Sequence, residues 1–281
     1  MRGDAIEVNT DWNMITGNYI GLAPDGTTVD GNQIGIKLQN GADFNVIGGT
    51  DATDRNLISG NTYAGVAMRQ VGTDDNRVIG NWIGLDENGD VVTAGDHGVV
   101  IWDGPDNNQI GGVNAGEGNR ISGHNNGVVV DDNGAAVPFD NAILGNEIFS
   151  VNEMAIDLDN EQVTPNDAGD TDTGANDLLN HPELTSVVQN GADLDIEFDL
   201  DVPSGNYRIE FFDNPAGIGG IVVDQSTRDL DTPRANAGNQ VASVKRALDT
   251  RHTDRQQADA GFRQHPRGAF IQQYTPAHLQ L

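Results

Sequence analysis

The segment Asn13–Tyr63 aligns without a gap on Asn76–Asn126, sixty-three residues further along, with twenty of fifty-one positions identical. The identities are mostly Asn, Gly and branched aliphatics: NMITGNYIGL returns as NRVIGNWIGL, NVIGG as NQIGG and NLISG as NRISG. Such a repeat restricts the architecture before any local propensity is weighed, because each unit must be able to stack on a copy of itself. A finer period lies inside it. The apolar segments AIEV, GIKL, GVAM, GVVI, GVVV and AIDL begin at residues 5, 35, 65, 98, 127 and 155, a spacing of 28 to 33 residues. Between them a second segment starts at Asn13, Asn45, Asn76, Asn108 and Asn141. A third comes after it in each unit, GNYIG, GNWIG or GNEIF alternating with NLISG or NRISG, so the strongest repeat spans two units.

Helices would lose roughly 0.5–1 kcal/mol for each interior Gly and somewhat less for each Asn, and leucine-rich repeats need a denser Leu pattern in a shorter unit. Three short strands per unit, punctuated by Gly and Asn, predict an all-β fold: a right-handed parallel β-helix of about five to six turns, stacked ~4.8 Å apart into a rod roughly 24 Å long. Ile15, Ile47, Val78, Ile110 and Ile143 then form one inward column, and Ile36, Val66, Val99, Val128 and Ile156 another. The recurring asparagines have a structural explanation in left-handed corners and in amide ladders running along the rod.

Composition agrees with that fold and removes several classes of function. The chain has 36 Gly, few aromatics, no Cys and a net charge of −28. Residues 1–223 carry 37 acidic and 7 basic side chains, and 224–281 carry 6 and 8. An acidic body repels nucleic acid and anionic lipid, so neither is an expected partner. Disulfides and thiolate metal sites are excluded. No apolar run approaches the ~18 residues of a membrane span, and no signal-peptide core comes after Met1. Since Ala5–Val8 already belongs to the repeat, the chain is expected to start inside a larger protein, with any export signal upstream.

The units NxIxGNxIG, NxIGG and NxISGN resemble those of bacterial surface or secreted right-handed β-helix repeat proteins. The stretch VTPNDAGDTDTGANDLLNHPELTS (163–186) is similar to the segment that closes such helices before a β-sandwich. The resemblance covers about residues 5–215. It implies a pectin-lyase-like fold and an extracellular or cell-surface location. More distant proteins sharing the fold are pectate lyases, polygalacturonases and alginate epimerases, which act on acidic polysaccharides. The Asn-Thr-Asp, Gly-Asp-Asp, Gly-His-Gly and Arg-Ile-Lys set of the hydrolases is absent here, as is the Asp-Pro-His-Glu of the epimerases.

The domain reading is a β-helix over 1–180, partial immunoglobulin-like sandwich strands over 181–223, and a tail over 224–281. Leu194, Ile196, Phe198 and Leu200, and then Tyr207, Ile209 and Phe211, alternate with polar residues as half-buried strands do. From about Asp224 the alternation stops. The tail is expected to be disordered rather than an evolved continuation, save for a short helix within Asn239–Arg251.

Three constellations carry candidate chemistry. Strand alternation places Asn9, Gln39, Arg69, Trp102, Asp131 and Asp159 in one external column, with Asp131 and Asp159 about 5 Å apart if adjacent turns keep register. Such carboxylates share a proton, act as acid and base, or hold Ca²⁺, and a solvated acidic face is the plain alternative. Tyr19 and Trp82 fall two turns apart with outward rings about 10 Å from each other, a spacing suited to stacking on sugars; the alternative is that each ring covers its own loop. In 166–177, Asp167, Asp170, Asp172, Asn176 and Asp177 crowd a Gly-rich loop, an oxygen-ligand set for Ca²⁺ or an acidic linker. His97, His124 and His181 lie in separate units and read as polar loop residues.

The function expected from these features is a non-catalytic extracellular scaffold for adhesion or glycan contact, stabilised by Ca²⁺, with Tyr19, Trp82 and Trp102 as contact residues. The rival is a polysaccharide-active lyase, hydrolase or epimerase using Asp131, Asp159 and Arg69.

Overall fold

In the computed structural model, which describes residues 3–190, 193–203, 207–213, 221–222, 240–245 and 269–273, each unit closes one turn of a parallel β-solenoid of about five turns. Three parallel sheets run along it. Sheet I holds Ile6–Val8, Ile34–Leu38, Ala64–Arg69, His97–Trp102, Asn126–Asp131 and Ile156–Leu158. Sheet II holds Met14–Ile15, Val46–Gly48, Arg77–Ile79, Gln109–Gly111 and Ala142–Leu144. Sheet III holds Tyr19–Ile20, Leu57–Ile58, Trp82–Ile83, Arg120–Ser122 and Glu147–Phe149.

The register matches the inward columns read from the sequence. Ile15, Ile47, Val78, Ile110 and Ile143 are successive partners in sheet II, and Ile36, Val66, Val99, Val128 and Ile156 in sheet I. Together with the sheet III isoleucines they form one continuous core. Removing that much branched aliphatic surface from water is the main drive for stacking the turns.

Polar ladders lock the register. Asn45 donates from its backbone N–H and from Nδ2 to Oδ1 of Asn76, each at 2.9 Å, and Asn76 does the same to Asn108 at 2.9 and 3.0 Å. The series runs from Asn13 to Asn141 and ends on Asn176. A second ladder links Asn18, Asn56, Asn81, Asn119 and Asn146. The left-handed corners expected at the first series of asparagines belong instead to the residues just before them. Trp12, Phe44, Asp75, Asn107 and Asp140 have φ of 60°, 56°, 56°, 57° and 54°. The ladder requires each Asn to face its neighbours, so the backbone reverses one residue earlier. Two bulky rings, Trp12 and Phe44, hold that strained conformation, and they stack with centroids 4.6 Å apart.

Alternation also breaks once per turn in sheet I. A Cβ on Gly35, Gly65, Gly98 or Gly127 would strike Cγ2 of Ile58, Ile83, Ile121 or Ile148, so these glycines face the core, as do the residues next in the chain. With two consecutive residues inward, the preceding column of Ile34, Ala64, His97 and Asn126 lies outside, beside that of Lys37, Ala67, Val100, Val129 and Asp157. Ile34, Ala64, Ala67, Val100 and Val129 make a second apolar cluster on the outer side of the sheet, itself buried, against which Tyr63 and Trp102 pack.

After the solenoid the strands are antiparallel. Glu183–Asn190, Asp193–Asp199 and Gln240–Lys245 form one three-stranded sheet, and Ile221–Val222, Tyr207–Asp213 and Ala269–Gln273 another. Gln240–Lys245 is therefore a strand where the sequence suggested a short helix, its backbone pairing from Asp193–Lys245 to Phe198–Gln240. Ala269–Gln273 is a second strand within the stretch expected to be disordered, and the other tail residues lie outside the described ones. Asn180 ties the acidic loop at the solenoid's end to the segment just past Asp193–Asp199, donating to the carbonyls of Asp167 and Asp201 at 2.8 and 2.6 Å.

Candidate functional site

The outer face of sheet I gathers the most varied chemistry. Trp102 pairs in register with Arg69 on one side and Asp131 on the other. The next turn ends its strand at Leu158, and Asp159 turns away with φ 74° while its N–H still donates to Val130 O at 2.7 Å. Carboxylate oxygens of Asp131, Asp132 and Asp159 all lie within 4.8 Å of one another. Asp132 joins the pair because Asp131 and Asp132 each accept a backbone N–H two residues ahead, curling the loop back.

Beside that column stand groups that the periodicity did not single out. Tyr63 meets His97 edge to face at 5.4 Å and Trp102 at 6.2 Å, so three rings border the apolar floor of Ala64, Ala67 and Val100. The Arg69 guanidinium sits 5.7 Å from the Trp102 ring and 3.7 Å from Asp103. His97 is not a loop residue but opens a sheet I strand, with Nδ1 buried and unpartnered. Burial holds its pKa down, against the pull of Asp96, Asp131 and Glu153. Burial likewise raises the Tyr63 phenol, helped by Asp96 and Asp131 and opposed by Arg69.

Asp157 is the chief acid on this face. It occupies the column of Val100 and Val129, is 3% exposed, and its Oδ1 has no partner. Burial pushes its pKa up to about 6; Glu153, Asp131 and Asp159 add to the rise and the Gln162 backbone opposes it. Asp159 is raised by burial and then by Asp132, Asp131 and Glu161. A carboxyl whose pKa is raised by burial beside other carboxylates is the usual basis for an acid–base pair. A signal for Asp157 was present in AIDL, where Asp comes directly after Ala and Val in the preceding turns of a column that begins with Glu7 and Lys37.

The other expected residues lie elsewhere. Tyr19 and Trp82 share a sheet III column through Leu57, two turns apart as expected. A Cβ on Gly26 would press on the Tyr19 ring, and one on Gly89 would contact that of Trp82, so each aromatic lies over its own loop. Trp82 also carries the guanidiniums of Arg55 at 4.2 Å and Arg120 at 5.1 Å, which occupy ring surface that a sugar would need.

In the acidic loop, oxygens of Asp167, Asp170 and Asp172 come within 4.8 Å of one another. Asp167 accepts the Thr171 N–H and hydroxyl, Asp170 accepts the Asn180 N–H, and Asp172 Oδ1 has no partner. The Thr171 hydroxyl lowers the Asp167 pKa, while burial and mutual repulsion raise those of Asp170 and Asp172. Asp177 is not part of this trio. It lies in the 3₁₀ turn Ala175–Leu178, where burial and then Asp140 raise its pKa. His124 is fully buried, also unlike a loop residue.

No protein-family model matches the chain, and no curated protein matches it in sequence.

Proposed function

We propose that the protein is a non-catalytic extracellular or cell-surface scaffold that contacts glycan along the outer face of sheet I. The observation that carries this reading is the Tyr63, His97 and Trp102 border with Arg69 beside it, over an apolar floor. Aromatic edges beside polar hydrogen-bonding groups are what a pyranose ring engages, and a stacked solenoid repeats such features along one long face. The resemblance to bacterial β-helix repeat proteins of the pectin-lyase-like class supports the surface location. In the same reading the antiparallel strands after residue 181 open an immunoglobulin-like sandwich, and Asp167, Asp170 and Asp172 take Ca²⁺ at the solenoid's end.

A second reading has its own observation. Asp157, protonated up to a pH of about 6 and coupled to Asp131 and Asp159, suits a general acid in a polysaccharide lyase, hydrolase or epimerase. A glycan array with the parent, Tyr63→Ala and Trp102→Ala chains tests the first reading. Binding to a defined glycan that both substitutions abolish supports it, and no binding to any glycan overturns it. Incubating bound glycans and assaying for reducing or unsaturated ends decides the second, since Asp157→Asn must remove any turnover found.

A further inference from the structure

Arg55 has no counter-charge. Lys37, Arg69, Arg77 and Arg120, the other described basic side chains of the solenoid, each reach a carboxylate: Asp4, Asp103, Glu117 and Glu147 in turn. No carboxylate stands within salt-bridge distance of Arg55 among the described residues, although the chain carries a net charge of −28. Its guanidinium rests on Trp82, and its Nε is buried without a hydrogen-bond partner. A desolvated guanidinium donor left unpaired is costly, and Arg120 against the same ring adds like-charge repulsion. Both effects lower the Arg55 pKa, burial first.

The neighbouring groups define what would relieve that cost. Arg120 is already engaged by both oxygens of Glu147, at 2.7 and 3.3 Å, so the guanidinium on this ring without a carboxylate is that of Arg55 alone. A planar guanidinium fork matches a carboxylate or sulfate. The surrounding negative body repels any charge-dense polymer, which limits the ligand to an isolated anionic group. Exposed Tyr19, two turns away in the same column, offers a ring along the rod for a neutral neighbour.

We propose that Arg55, seated on Trp82, is an anion-binding site that takes one carboxylate or sulfate group borne by an otherwise neutral glycan. The glycan part rests on the function proposed above, and the anion part stands without it.

The test uses the whole chain, ¹⁵N-labelled, with the Arg55 Nε–Hε resonance assigned by its loss in Arg55→Lys. Sodium acetate and sodium sulfate are titrated against sodium chloride at equal ionic strength. A neutral oligosaccharide bearing one glucuronate, its uncharged parent, polygalacturonate and polyglutamate are titrated next. The expected result is a saturable shift with acetate, sulfate and the monoglucuronate glycan. Arg55→Gln should weaken the glycan by roughly tenfold or more, and so should omission of the acid group. Arg55→Lys, which keeps charge but loses the fork, should be weakened too, and it decides the matter where Arg55→Gln does not fold. Shifts with the small anions but equal affinity for the two oligosaccharides would leave the anion site standing and overturn its assignment to a glycan. Tighter binding of polygalacturonate would overturn the isolated-charge requirement, and tighter binding of polyglutamate would overturn the choice of a glycan. No saturable shift with any probe would overturn the site itself. Glycan binding unchanged by Arg55→Gln would do the same while leaving the sheet I surface intact.

Discussion

Asn76 accepts two hydrogen bonds from Asn45 through a single side-chain oxygen, one from the backbone and one from the amide, both at 2.9 Å. Its own Nδ2 donates to Ala42 O at 2.8 Å and to Asn108 Oδ1 at 3.0 Å. All of this lies in the protein interior, so truncation leaves donors and acceptors that water does not reach. Asn76→Ala is expected to destabilise the solenoid by about 2–4 kcal/mol, since each stranded buried polar group costs ~1–3 kcal/mol. Asn13→Ala, at the exposed end of the same ladder, should cost well under half as much. Urea unfolding of the two variants monitored by circular dichroism checks the ranking, and equal losses would contradict a ladder held by its interior.

His124 is 1% exposed and neither ring nitrogen finds a well-aligned partner among the described residues. Burial holds its pKa down to about 4; nearby His97 adds to the fall and the Ser122 backbone opposes it. The folded value lies below the unfolded one of about 6.5, so between these pH values the unfolded chain binds the extra proton. His124 therefore contributes stability that is fully present above about pH 6.5 and is lost as pH falls toward 4, by roughly 3 kcal/mol at most. His97 contributes in the same direction. His124→Asn installs the residue found at Asn61, sixty-three positions earlier, and should flatten this part of the stability–pH curve. Melting temperatures from pH 4 to pH 7 for parent and variant give the comparison.

Asp157 works against that trend. Its folded pKa of about 6 is above the usual carboxylate range, so between about pH 4 and 6 the folded chain holds a proton that the unfolded chain has released. Its contribution to stability is present at low pH and is lost as pH rises through 6. Asp157→Asn, which keeps the shape and cannot ionise, is expected to raise the melting temperature at pH 7 and to leave it nearly unchanged at pH 4. A fall at pH 7 would show that the ionised carboxylate is compensated by a partner.

The solenoid could be read from sequence because its determinants are periodic. Ile47 over Val78 and Asn45 over Asn76 recur at the same offset, and parallel stacking turns that offset directly into contact. The outer-face column of Arg69, Trp102 and Asp131 came from the same periodicity. His97 and Asp157 did not, because each interrupts its own column: His97 comes after Ile34 and Ala64, and Asp157 after Val100 and Val129. The outward placement of His97 depends on Gly98 facing the core together with Val99, which simple alternation omits. Trp82 was placed correctly on the outside, but two guanidiniums from other turns lie against it: Arg120 is its register partner in the next turn, whereas Arg55 stands outside the strand columns. The left-handed corners were assigned one residue late, since the ladder, not corner propensity, fixes where Asn must stand.

The acidic loop gives a prediction whose sign depends on whether a cation is present. Asp170 and Asp172 are both raised, by burial first and by carboxylate repulsion after it. Without a cation, Asp170→Asn/Asp172→Asn removes that repulsion. The amide oxygen introduced by Asp170→Asn still accepts the N–H that Asn180 gives to Asp170 at 2.7 Å in the parent. The double variant is then expected to melt at or above the parent temperature in the presence of chelator. With Ca²⁺ the order should reverse. At calcium about a hundredfold above Kd the parent gains about 2.7 kcal/mol that the variant cannot gain. Protons compete for the same oxygens, so the calcium-dependent rise should shrink as pH falls into the carboxylate range. Scanning calorimetry of parent and variant with and without calcium, at pH 7 and pH 5, measures each of these effects. A parent that melts at one temperature with and without calcium would make Asp167, Asp170 and Asp172 a linker held by Thr171 and Asn180 alone.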